Sequence, residues 1–422
     1  MTKPSPVWHP FTQHGLGQPV IKIASAEGAI LTTRSGARLI DAISSWWVIT
    51  HGHRHPAIMA AIQRQADQLD QVIFAGFTHE PAEKLARELI AIAPPGLAHV
   101  FYSDSGSTAV EVALKMALGF WRNTGESRTT IVAMDHAYHG DTVGAMSVGA
   151  RGVFTASYQP LLFDVARIPF PHPGREQAAL EAFEAACRMQ PPAALIVEPL
   201  ILGAGGMLTY PSEVLEALAG LCHAHGVLLI ADEVMTGWGR TGTLFACEQA
   251  GITPDIFCTA KGLTGGALPL AATLCKAAIF DAHVSTDRAR MFFHSSSYTA
   301  NPLACAAALA NIGVWQSEPV RDRIQTLAGM QTKALSRLRG DERVSGARQC
   351  GTIAAFELGG GTSGYLAVAA PKLAAFFLER GVLLRPLGNT IYVLPPYCIS
   401  GEDLDCVYNA IDAALEQGGV PQ

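Results

Sequence analysis

Two residues stand where apolar runs of this sequence end. VLLIADEV places Asp232 directly after an uninterrupted apolar stretch, and DIFCTAKG places Lys261 after another. A lone acid in such a place is ordinarily a helix cap or a solvated loop residue, and most lysines are solvated as well. A lysine at the mouth of a buried strand, next to glycine, gives up its charge more easily, and the neutral amine attacks carbonyls. An acid and an amine on two strand ends of one sheet meet the two needs of pyridoxal phosphate. The amine forms a Schiff base, and the carboxylate pairs with the pyridinium nitrogen and keeps it protonated.

Such a cofactor also needs donors for its phosphate. FYSDSGSTAVEVALKMALGFW runs from a strand through Ser105, Gly106, Ser107 and Thr108 into a helix. Val110, Leu114, Ala117 and Trp121 mark the buried face of that helix, and Thr108 with Glu111 has capping-box spacing. Free backbone amides there, with the Ser107 hydroxyl, make an anion site at a helix N-terminus, and Gly106 permits close approach. An ordinary Ser/Thr cap reads the same way. In HAYHGDT (136–142), Tyr138 is placed to stack on a flat ring, while His139 and Asp141 are placed to hydrogen-bond. HGHRHP (51–56) is rich in histidine, yet its spacing fits neither a zinc finger nor HExxH. We read it as a loop entering a helix and expect no metal. P-loop and nucleophile-elbow motifs are missing from the sequence.

The elements that position these residues follow from apolar patterning. Short apolar runs at 99–102, 130–134, 193–199, 226–233 and 255–261 alternate with helix-period segments, as at 108–122 and 212–224. That alternation indicates a mainly parallel sheet covered on both faces, with ligands beyond the carboxyl ends of its strands. ILTT and ARLIDA flank Ser35-Gly36 as a hairpin, 56–70 and 80–93 read as helices, and 301–340 reads as long helices. From about 341 onward a smaller unit mixes strands, including TIYVLP, with two helices. With 422 residues, 49% of them hydrophobic, the chain holds more than one core, and its formal charge of −6 gives no case for nucleic acid. Nine cysteines without a CxxC pair suit scattered thiols in a reducing cytoplasm. The N-terminal stretch MTKPSPVWHPFTQ has no apolar signal region, and no run is long enough to cross a membrane.

LLIADEVMTGWGRTGTLFACEQAGITPDIFCTAKGLTGGALPLAATL (228–274) resembles the signature of the class III, or omega, aminotransferases, which are fold type I pyridoxal-phosphate enzymes. The resemblance extends over essentially the whole chain. It implies an α/β large domain (51–315) with a mainly parallel seven-stranded sheet covered by helices. A smaller α+β domain is then formed by the N-terminal segment (1–50) and the C-terminal part (316–422). Finer features lie in WHPFTQ (8–13), SSWW (44–47), YHGDTVGAMSV (138–148), NPLACAAALAN (301–311) and LLRPLGNTIYVLPPY (383–397). They are similar to the branch of the family that aminates 8-amino-7-oxononanoate in biotin biosynthesis, with S-adenosylmethionine as amino donor.

By position, the resemblance implies that Lys261 carries the cofactor and then moves the proton. It pairs Asp232 with the pyridinium nitrogen, lays Tyr138 against the cofactor ring, and gives the phosphate to Gly106 and Ser107. Ser296 and Ser297 complete that phosphate site from the other subunit of a homodimer with shared active sites, and Ser295 lies near the substrate. Trp46 and Phe11 line the substrate pocket, and Arg385 takes the substrate carboxylate, for which a guanidinium fork is suited. Two departures stand out. Phe11 replaces a tyrosine common in the family, which removes a hydroxyl at the donor end and leaves lysine open as an alternative donor. The Ser295–Ser297 segment lacks the family's Gly-Pro-Thr. Other class III activities, a decarboxylase on the same scaffold and a non-catalytic relative remain as rival readings.

Overall fold

The computed structural model describes residues 5–17, 20–359 and 369–417. Residues 1–4, which open the N-terminal stretch, and parts of the C-terminal region read above lie outside them. The central sheet has seven strands in the order Leu97–Ser103, Ala271–Lys276, Ile256–Thr259, Leu228–Asp232, Ala194–Val197, Ile131–Met134 and Ala166–Ile168. Ala271–Lys276 runs antiparallel to both of its neighbours, and the other strands share one direction.

The uninterrupted apolar runs are explained by helices on both faces. Ile131, Ala133, Ala194, Ile196 and Ile230 pack with the helix Gly106–Thr124 through Val110, Ala113, Leu114 and Ala117. The alternate residues Val132, Leu195, Val197 and Leu229 pack against Phe183, Leu215 and Leu218 of Glu176–Met189 and Ser212–His225. Side chains alternate across a strand, so strands buried on both faces must be apolar at every position.

The two ends of the chain meet in a second sheet. The hairpin of Ile30–Thr33 and Arg38–Asp41 forms around Ser35-Gly36, with Gly36 at φ +87°. Val382 and Leu383 add to it in parallel, Val382 opposite Ile40. Val344–Cys350, Ile353–Leu358 and Thr390–Val393 form a third sheet. The helices Pro302–Ser317, Val320–Leu338 and Gly401–Glu416 account for the long helical stretches read in the sequence.

The HGHRHP segment leads into the helix Pro56–Ala66, with Pro56 in its first turn, where a missing amide hydrogen costs nothing. Its histidines face three different partners: His51 meets Asn311, His53 meets Asp41 and His55 meets Glu318. All nine cysteines are free. Six are buried, Cys350 is partly buried, and Cys398 and Cys406 are at the surface. No helix among the described residues is long and apolar enough to cross a membrane.

Candidate active site

Asp232 ends the strand Leu228–Asp232, and Lys261 follows Ile256–Thr259 by two residues. Because those strands are adjacent and parallel, with Asp232 opposite Cys258, both side chains emerge at one edge of the sheet. Asp232 is 4% exposed. Its Oδ2 accepts from His139 Nδ1 at 2.7 Å, and its Oδ1 from the Val234 amide at 3.1 Å. His139 is thereby fixed with a proton on Nδ1, and its buried Nε2 has no partner among the described residues. Lys261 has φ +45°, a left-handed conformation rare for a side chain of its size. Its Nζ stands 4.8 Å from the centre of the Trp47 ring. Burial lowers its pKa from 10.5 to about 8, against the opposing pull of the Asp232 and Glu198 charges, and Arg240 adds to the lowering.

Glu198 and Arg240 were not singled out from the sequence. Glu198 lies just past Ala194–Val197, at the same edge of the sheet, and is buried. Its oxygens accept from the amides of Tyr138, at 3.0 Å, and Gly203, at 2.9 Å, and burial pushes its pKa up to about 7. Its signal was an acid following an apolar run, as for Asp232. Arg240 is 1% exposed and donates to the carbonyls of Ile49 at 2.7 Å and Pro395 at 3.0 Å, joining the N- and C-terminal segments beneath the site.

The helix Gly106–Thr124 begins two residues before the expected start, and the capping box is accordingly Ser105 with Thr108. Ser105 Oγ accepts from the Thr108 amide at 3.2 Å, and Thr108 Oγ1 from the Ser105 amide at 2.9 Å. The expected pair of Thr108 and Glu111 is therefore wrong. Glu111 instead accepts from the amides of Gly144 at 2.7 Å and Ala145 at 3.2 Å, tying in the next helix. Gly106 has a packing reason beyond approach to an anion, since a Cβ there would lie 2.5 Å from Val234 Cγ1. Ser107 Oγ accepts from the Asp141 amide at 3.0 Å. A Cβ on Gly140 would lie 2.0 Å from that hydroxyl oxygen.

Ser107, Tyr138, Val234, Lys261, Trp46 and Arg385 line one cavity of about 580 Å³, with Asp232 and Glu198 buried outside its wall. Gly106 and Phe11 also line it. Burial pushes the Tyr138 phenol well above its ordinary range, and Asp141 adds to the effect. At the far end Arg385 lies 4.7 Å over the Trp46 ring and donates to the Phe11 carbonyl at 3.3 Å. Phe11 packs edge-on against Trp46 and Phe154, with ring centres 5.5 and 5.9 Å away. Trp46 belongs to a contorted SSWW turn in which Ser44, Ser45 and Trp47 all have positive φ. The Asp41 carboxylate accepts from the Ser45 amide, and Ser44 Oγ donates to the Leu394 carbonyl, which hold that shape.

Ser295, Ser296 and Ser297 do not line this cavity within the chain. Ser296 Oγ donates to the carboxylate of Asp104, which does line it, and the Ser297 carbonyl accepts from Gln71. Among the described residues no group of three metal-ligating side chains is gathered.

A buried acid, a desolvated amine, an aromatic wall and a helix N-terminus around one cavity fit pyridoxal phosphate. Residues 11–415 match the family model of the class III aminotransferases, and the chain belongs to that family, whose cofactor is pyridoxal phosphate. Among its relatives is the adenosylmethionine-8-amino-7-oxononanoate aminotransferase of Synechococcus elongatus, 48% identical over 97% of this chain and 98% of that one. The enzyme of the same name from Geobacter sulfurreducens is 38% identical over 97% and 95%. The crystal structure of the Methanocaldococcus jannaschii enzyme of that name superposes with a TM-score of 0.92 at 35% identity, covering 97% of each chain. An amine transaminase from an uncultivated Pseudomonas species, solved with pyridoxal phosphate bound, gives 0.92 at 31% identity over 98% and 99%.

Proposed function

We propose that the chain transfers the amine of S-adenosylmethionine to the ketone of 8-amino-7-oxononanoate, giving 7,8-diaminononanoate in biotin biosynthesis. The observation that carries this reading is the cavity that joins Lys261, with the buried Asp232 charge acting on its amine, to Arg385, Trp46 and Phe11. The near-full-length relatives that bear this activity in their names support it.

Bound pyridoxal phosphate supplies an electron sink for the carbon that carries the amine. Each remaining task falls to the chain. Asp232 holds the ring nitrogen protonated, and His139 holds Asp232 in place through the 2.7 Å bond. Lys261 Nζ would hold the cofactor covalently and, when free as an amine, would accept and return a proton. A lowered pKa suits both tasks, because the amine must be neutral to attack and to accept. Tyr138 and Val234 line the slot for the ring. The first turn of Gly106–Thr124, with Ser107, takes the phosphate. Arg385 receives the carboxylate of the keto acid, and Trp46 and Phe11 cover the chain between.

The rest of the reading concerns assembly. Ser296 and Ser297 contribute to the phosphate site of a partner subunit in a homodimer, and Ser295 approaches its substrate. Their position off the cavity wall in their own chain is consistent with this. The chain divides at residues 50 and 315, and the pairing of Val382 with Ile40 supports grouping the two ends in one smaller domain. The enzyme works in the cytoplasm, where nine free thiols remain reduced.

The test is a half-reaction on the holoenzyme. S-adenosylmethionine should bleach the cofactor's visible absorbance, and 8-amino-7-oxononanoate should restore it. Bleaching by lysine, ornithine or 4-aminobutyrate with none by S-adenosylmethionine would reject the donor. Recovery with 2-oxoglutarate or pyruvate and none with the oxononanoate would reject the acceptor.

A further inference from the structure

The turn that presents Lys261 is held from behind by a side chain outside the cavity. Asn311 lies in the helix Pro302–Ser317 and is wholly buried. Its Nδ2 donates to the carbonyls of Gly262 and Leu263, both at 3.1 Å. Those are the two residues directly after Lys261. With the amide nitrogen so used, Oδ1 must accept, and it faces His51 Nε2 at 2.8 Å. His51 is itself buried in the loop before Pro56–Ala66, and burial lowers its pKa to about 4. The imidazole is therefore neutral, with its one proton on Nε2, and the amide of Asn311 has one orientation that satisfies every partner.

The turn needs such a hold. Lys261 has φ +45°, and a non-glycine residue keeps that conformation only where its surroundings enforce it. Local bonds from the Leu263 amide to the Ala260 carbonyl and from the Gly265 amide to the Gly262 carbonyl, each 2.9 Å, close the turn on itself. They do not fix it relative to the rest of the protein. Asn311 does, through a helix that packs closely against Pro56–Ala66 and the turn.

We propose that Asn311 is a positioning residue for Lys261, and that His51 sets the orientation of its amide. The clamp keeps the Lys261 turn in the conformation that aims Nζ into the cavity, without touching substrate or cofactor. The inference rests on Lys261 being the lysine that takes the cofactor.

The experiment follows covalent capture of the cofactor, separately from turnover. Full-length chain freed of cofactor is mixed with pyridoxal phosphate, quenched with borohydride over time, and the label at Lys261 is quantified. Thermal unfolding is recorded for every variant. Asn311→Leu should capture roughly tenfold to a hundredfold more slowly, since misplacing a reacting group by about 1 Å costs that much. Its kcat should fall in parallel, with KM for the amino donor within about twofold.

Gln331 is the matched control. It is equally buried, and its Nε2 donates to two carbonyls, of Thr352 at 3.1 Å and Val393 at 3.2 Å, in the C-terminal part of the chain. Gln331→Leu should lower the unfolding temperature as Asn311→Leu does, yet capture at the wild-type rate. His51→Leu should slow capture, and His51→Gln, which restores a donor to Oδ1, should recover at least half of the loss. Capture by Asn311→Leu at the wild-type rate overturns the proposal, as does equal slowing by Gln331→Leu. If Asn311→Leu does not fold, His51→Leu decides, and wild-type capture by it overturns the proposal. A His51→Gln variant as slow as His51→Leu removes His51 from it. Wild-type chain that captures the cofactor at some other lysine overturns the underlying reading of Lys261 instead.

Discussion

An amine with a pKa of about 8 differs from an ordinary lysine in a way that a single titration reveals. At pH 7 about one such amine in ten is neutral, against about one in three thousand at the usual value, a gain of roughly 300-fold in the reactive form. The perturbation is pH itself, applied to the chain without cofactor. The assay is competitive acetylation with trace anhydride, in which the peptide containing Lys261 is compared with that containing the exposed Lys84. Labelling of Lys261 should rise to an inflection near pH 8, where half the amine is neutral, and then level off. The charges that oppose the lowering give a second check on sign. Asp232 and Glu198 both favour the ammonium, so Asp232→Asn and Glu198→Gln should each move the inflection to lower pH. An inflection at pH 10 or above would refute desolvation as the source of the amine's reactivity. An upward move in either carboxylate variant would refute the assigned electrostatics.

Two further outcomes follow from the geometry of the cavity. Arg385→Ala should raise KM for the keto acid about 10- to 100-fold, the loss of a charge-assisted hydrogen bond of roughly 1.5–3 kcal/mol, while bleaching by the amino donor stays within a few-fold. Arg385→Lys should recover little, because the guanidinium sits 4.7 Å over the Trp46 ring and presents a two-pronged fork to a carboxylate, which an ammonium does not. Gly140→Ala should weaken cofactor binding by about tenfold or more, read by equilibrium dialysis of pyridoxal phosphate. Its Cβ would lie 2.0 Å from Ser107 Oγ, in a backbone with φ +133°.

What could be read from sequence depended on how local its cause is. The strands and the helix faces were legible because burial on two sides forces every position of a strand to be apolar, and burial on one side forces a period near four. Asp232 and Lys261 were legible because a polar residue that closes such a run has few structural reasons to be there. The start of the helix at Gly106 was misplaced because its first turn is polar, and the apolar period begins only at Ala109. Glu198 carried the same strand-end signal as Asp232, but it sits inside the run 193–199, which reads as one strand, whereas the strand ends at Val197. Asn311 closes the NPLACAAALAN motif, but its positioning role was hidden for a different reason. An asparagine in mid-helix reads as a weak helix former on a solvated face, and its partners lie 48, 49 and 260 residues away. The two-residue strand Val382–Leu383 is too short to leave any periodicity.

That short strand has a consequence for how the enzyme comes into being. Ile40 finds Val382 only after some 340 further residues have been made, and Arg385 follows two positions beyond Leu383. Asp232, Lys261 and the helix from Gly106 can be in place while the chain is still on the ribosome. The pocket's far wall cannot be, because Phe11 and Trp46 wait there for a segment synthesised some 340 residues after Trp46. Pairing over such a separation is slow and entropically costly, and it leaves the edge at Arg38–Asp41 open in the meantime. The cofactor end of the site is thus early in synthesis, and the end that selects the substrate is late.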